Sequence, residues 1–167
     1  NFQLTDHTRL AHELYYFKAA PAIVVMTQTN GSKLSRSAAG ELEKLQDAYK
    51  TKGVLFYMMN SNTGDTRDAT AAEAKAQGFD IPVLMDELQL VGESLGVKKE
   101  GEIFVIDPKK NFAVAYHGPL DDRFAKANPN LKAAAKEAYT AAAIDAVLGG
   151  QAVAKARVDV TAGKDVA

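Results

Sequence analysis

A chain of 167 residues, 47% of them hydrophobic, can bury one core, and its formal net charge of −1 presents no broad cationic surface to nucleic acid or anionic lipid. It contains no cysteine, which excludes disulfides, thiolate metal sites and thiol nucleophiles together. No apolar run approaches the roughly 18 residues that cross a bilayer, and a first residue Asn1 in place of Met points to a processed or incomplete start with no visible signal peptide.

Phe2–Asp6 and Arg9–Tyr15 read as two short strands around a polar turn. Ala22–Met26 is a continuous apolar run, the composition of a strand covered on both faces. A helix follows, with Leu34, Ala38, Leu42, Leu45 and Tyr49 on one stripe. Gly53 stops it, and Val54–Met59 is a second buried strand. Asn60–Asp65 is a loop, and Thr66–Gln77 an Ala-rich, weakly amphipathic helix. Pro82–Met85 is a short strand leading to Asp86, a suitable N-cap with Gln89 at capping-box spacing. Leu88, Val91 and Leu95 are expected to face inward, with Gly96 closing that helix.

Glu102–Ile106 and Phe112–Tyr116 form a hairpin across Asp107–Asn111. A last helix is expected from about Leu131 to Leu148, ended by Gly149-Gly150. Gln151–Ala167 is polar and aperiodic, which reads as a tail or linker after a domain at residues 1–150. The element order implies an α/β sandwich with a mixed central sheet. Ile23–Met26, Val54–Met59 and Ile103–Ile106, apolar on both faces, should be its central neighbours.

Several motifs in this order resemble the redoxins, the alkyl hydroperoxide reductase and thiol-specific antioxidant group. They are Phe2-x-Leu4-x-Asp6, the strand ending at Thr29-Asn30-Gly31, Pro82-Val83-Leu84-Met85-Asp86, Leu95-Gly96-Val97 and Ile103–Pro108. Tyr116–Asp122 resembles a secreted bacterial subgroup. The resemblance implies a thioredoxin-like sandwich with an N-terminal β-hairpin and a periplasmic or otherwise extracytoplasmic location. It also implies a reactive cysteine at the N-terminus of the first long helix, where the helix dipole favours thiolate.

Ser32 holds that place here, and a serine hydroxyl neither ionises near neutral pH nor forms a sulfenic acid or mixed disulfide. The cis-proline that such domains carry opposite the cysteine falls on Gly101. Arg36, without a thiolate to assist, becomes a helix surface charge. Loss of the loop proline as well as the cysteine favours natural loss over engineered replacement. The chain then reads as a redox-inactive interaction or structural subunit, as in an electron-transfer or membrane complex, with a protein partner and no cofactor. The alternative is a thiol-disulfide oxidoreductase or peroxidase whose cysteine has been replaced by Ser32. Lys33, Lys98 and Lys99 around the old site are expected to form a basic docking face.

Other chemistry is less well supported. Ser32 lacks a nucleophile elbow and a sequence-local base among His7, His12 and His117, so an N-cap is the plainer reading. Those histidines could meet at a metal only if the first hairpin packed beside His117, and no metal site is assigned. Asp107, Asp121 and Asp122 read as solvated loop carboxylates rather than a cation site. Asn30-Gly31 lacks the spacing of a phosphate loop.

Overall fold

The computed structural model describes residues 1–167. Two strands, β1 (Gln3–Thr5) and β2 (Ala11–Glu13), form an antiparallel hairpin. Five more, β3 (Ile23–Thr27), β4 (Leu55–Asn60), β5 (Val83–Met85), β6 (Ile103–Asp107) and β7 (Ala113–Gly118), build a mixed sheet in the order β5-β4-β3-β6-β7. β3, β4 and β5 run parallel, while β6 and β7 are antiparallel to their neighbours. The three doubly apolar strands are the three central ones, as expected. The helices are α1 (Lys33–Tyr49), α2 (Arg67–Gln77), α3 (Leu90–Leu95) and α4 (Tyr139–Leu148).

Alternate side chains of each strand supply opposite layers. Val24, Met26, Phe56, Met58, Val105 and Tyr116 meet Ala38 and Leu42 of α1 and Ile144 and Val147 of α4 in the larger core. Ile23, Val25, Tyr57, Met59 and Ile106 face the other way, where Leu14, Val91 and the hairpin residues Phe2 and Leu4 cover them. Burial on both faces is why no polar alternation marks these strands.

Both sheet edges are partly closed by the ends of the chain. At β5, Asp6 bridges to Leu84 and the His7 N–H donates to Val83 O at 2.9 Å. At β7, the His117 N–H donates to Ala156 O and the Val158 N–H to His117 O.

Two expectations need correction. The last helix begins at Tyr139, not Leu131. Asp122 Oδ1 accepts the N–H groups of Lys136 (2.8 Å) and Glu137 (3.0 Å), and this tertiary capture overrides the Ala-rich propensity of the preceding residues. Asp86 does not sit at the N-cap position of α3; Gln89 does, in a left-handed conformation (φ 59°). Asp86 instead reaches forward from β5 to accept the Val91 and Gly92 N–H groups and the Ser61 hydroxyl. Leu88 consequently lies on the turn and is 78% exposed rather than inward. Residues 151–167, read from the sequence as a tail or linker, make specific contacts. They run back over the domain, bury Ala162 completely and pack Val153 and Val158 on the core.

Candidate functional site

The place that the resemblance assigns to the reactive group lies where β3 passes into α1. Thr27 anchors the loop opposite it: its Oγ1 donates to Lys99 O (2.7 Å) and accepts the Glu102 N–H (2.8 Å). The Gly101 N–H donates to Thr27 O at 2.9 Å. The loop Lys98–Gly101 is thereby fixed against the N-terminus of α1.

Ser32 is the N-cap of α1, with extended backbone and its Oγ accepting the Ser35 N–H at 3.3 Å. It is only 4% exposed. Ser35, one helical turn on, is buried; its Oγ donates to Glu100 Oε2 at 2.6 Å and accepts the Thr29 N–H at 3.0 Å. Ser32 and Ser35 stand at the Cys-x-x-Cys spacing of dithiol oxidoreductases, but each hydroxyl is committed to holding backbone or carboxyl in place. No general base is aimed at Ser32, and Ser35, although bonded to the Glu100 carboxylate, is 1% exposed and closed to a substrate, so the pair is not arranged as a nucleophile.

Gly101 does face α1, with Leu34 Cδ2 at 3.6 Å from where a Cβ would stand. Its φ is +77° and its N–H is bonded, and proline can satisfy neither condition. The loop has therefore settled into a conformation suited to glycine.

Arg36 is not the idle surface charge expected of it. It forms a two-pronged pair with Glu73 of α2 (2.7 and 2.9 Å), and Glu73 also accepts the Gly31 N–H (3.3 Å). The Arg36 bonds, which outweigh desolvation, hold the Glu73 carboxyl below its ordinary range. Behind the turn, Gln28, Asn30, Asn60, Asn62, Asp65 and Thr70 close a polar network in which Asp65 Oδ2 accepts from both the Asn30 N–H and Asn60 Nδ2. The strand ends are thus filled by protein groups.

The basic face is only partly free. Lys33 and Lys98 are exposed, whereas Lys99 Nζ donates to Asp165 Oδ1 at 2.8 Å. Lys33 lines a shallow groove of about 410 Å³ with Leu34, Ser37, Pro129 and Gly163. A larger groove of about 930 Å³ lies away from Ser32, between the hairpin and α3.

The histidines do not converge. His7 Nδ1 accepts the Val83 N–H, His12 pairs with Asp6 (2.8 Å), and His117 lies between Glu102 (3.5 Å) and Arg157 (2.6 Å). Burial raises the Glu102 pKa, but bonds from His117 and the Lys98 amide outweigh it and hold the carboxyl low. Asp107, Asp121 and Asp122 each accept nearby backbone N–H groups and share no cation site. No group of three or more His, Asp or Glu side chains has metal-binding geometry.

Ser35 and Asp165 escaped the sequence reading, as did the bond to Ser35 of Glu100, whose loop was expected to face Ser32. Ser35 had a signal, its spacing of three from Ser32; Asp165 reaches the site through long-range folding.

Comparison with known proteins fits this geometry. The chain resembles a hypothetical protein of Sinorhizobium meliloti at 29% identity and TM-score 0.81, covering 99% of this chain and 89% of that one. An uncharacterized conserved protein of Geobacillus kaustophilus is 26% identical, with TM-score 0.82 and coverages of 99% and 87%. A secreted Mycobacterium tuberculosis disulfide oxidoreductase shares the fold at 12% identity and TM-score 0.62, over 87% of this chain and 95% of that one. No curated protein matches. The AhpC/TSA family profile matches residues 1–115, and with the thioredoxin-like sheet and the site at the N-terminus of α1 it shows that the chain belongs to the AhpC/TSA family.

Proposed function

We propose that this chain is a redox-inactive member of its family, acting as an interaction or structural subunit of an extracytoplasmic assembly. The observation that carries the reading is the fate of the old reactive site. Ser32 caps a helix, Ser35 is bonded to the buried Glu100, and the opposing loop is shaped for glycine. Location outside the cytoplasm rests on the resemblance of Tyr116–Asp122 to secreted redoxins. Lys33 and Lys98 remain available to an acidic partner surface. The purified chain should neither consume hydrogen peroxide nor reduce insulin disulfides. Turnover well above buffer with thioredoxin or dithiothreitol, in a metal-free preparation, would overturn the reading.

The second reading, a thiol oxidoreductase or peroxidase with its cysteine replaced, is favoured by the retained spacing of Ser32 and Ser35. The double variant Ser32→Cys/Ser35→Cys separates the two. Under the second reading it reduces insulin disulfides; under the first it stays inert, because Glu100 sits on residue 35 and opposes a thiolate there.

A further inference from the structure

Residues 164–167 lie across the Lys98–Gly101 loop as an added segment. Lys99 and Asp165 form an antiparallel bridge. The Glu100 N–H donates to Lys164 O (3.1 Å) and the Val166 N–H to Lys98 O (2.9 Å). Side chains reinforce the pairing: Glu100 Oε1 accepts the Lys164 N–H (2.9 Å), and Lys99 Nζ donates to Asp165 Oδ1 (2.8 Å). Just upstream, Gly163 has φ +83°, and a Cβ there would stand 2.6 Å from Glu100 Cγ and 2.8 Å from Leu34 Cδ2.

These contacts state a recognition rule: a glycine seated against Leu34 and Glu100, an extended backbone after it, and an acid two residues on. Strand addition to a fixed edge, with main-chain bonds for affinity and alternate side chains for selectivity, is a recurrent mode of peptide binding. The receiving loop is pinned through Thr27, whereas Lys164, Asp165 and Ala167 are exposed. A segment with so little buried surface opens more cheaply than the core beneath it.

We infer that the Lys98–Gly101 loop is a strand-accepting edge selective for an extended Gly-x-Asp segment, and that residues 163–167 fill it in cis, so that a partner strand of that chemistry enters by displacing them. The inference rests on the interaction-domain reading and names the partner's chemistry. Because the cis segment competes at a high effective concentration, a free peptide binds the intact chain poorly.

The test is fluorescence anisotropy with a labelled peptide of sequence Thr-Ala-Gly-Lys-Asp-Val-Ala. Gly163→Val ejects the cis segment by collision. Asp165→Lys removes its ion pair at a side chain that is 83% exposed, so the core is spared should the first variant unfold. Amide exchange at Lys164 and Val166 reports release. Gly163→Val should bind the peptide at least ~10-fold more tightly than the parent, and Asp165→Lys, which removes an exposed ion pair, about 3-fold more tightly. A peptide with valine for glycine, or lysine for aspartate, should show no gain. Release without tighter binding overturns the inference, and so do amides that stay protected in both variants. Neither failure touches the absence of peroxide turnover, which is measured separately.

Discussion

Asp6→Ala should destabilise the protein by about 3 kcal/mol, the sum of several orphaned donors at a buried site. Asp6 is buried in the β1–β2 turn. Its Oδ1 accepts the Thr8 N–H, the Thr8 hydroxyl and the Leu10 N–H, and its Oδ2 lies 2.8 Å from His12 Nε2. For a domain of this size the loss lowers Tm by roughly 6–12 °C, which thermal unfolding by circular dichroism measures. Burial pushes the Asp6 pKa up, but the bonds from Thr8, His12 and Leu10 outweigh it, so the folded value lies below the ordinary one. The contribution is therefore full above the unfolded value of about 3.9 and is lost as pH falls through the folded value. Asp6→Ala should accordingly flatten the acid limb of the stability curve. An unchanged limb would show that the turn does not depend on the ionised carboxyl.

A thiol placed at residue 32 should be hard to reach. The helix N-terminus favours thiolate there, yet Ser32 is 4% exposed and its side chain points into the turn to cap α1. Ser32→Cys should react with N-ethylmaleimide ~30-fold or more slowly than a free thiol. That factor corresponds to an opening cost of about 2 kcal/mol, and urea should abolish the difference. The lost cap should cost about 1 kcal/mol in addition. Labelling as fast as that of glutathione in native buffer would show the site to be open, contrary to the structure.

The parts of the fold that were legible in the sequence are those whose surroundings impose a composition. Val24, Met58 and Val105 sit in runs without polar alternation because both sheet faces are covered, and the α1 stripe through Leu42 follows from one buried face. What escaped is held by single long-range bonds. Lys136 and Glu137 read as helical until Asp122, more than a dozen residues earlier, takes their amides. Glu100 is an ordinary charged loop residue until α1 brings Ser35 to it. The segment around Asp165 pairs through its backbone, which leaves no periodicity of side chains to read.

The closure of the sheet edges has a consequence in time as well as in space. The hairpin that seals β5 is synthesised first, but the residues that seal β7, Ala156 to Val158, come some 40 positions after their partner His117. A chain growing on the ribosome at about 5–20 residues per second therefore makes β7 several seconds before the residues that pair with its His117. During that interval the row of free N–H and C=O groups on β7 is a template for pairing with a neighbouring nascent chain. Val114, left 44% exposed on the same strand, adds apolar surface to it. Residues 156–158 pair with His117 alone, so their arrival narrows the hazard to the outer half of β7, where Val114 stays exposed.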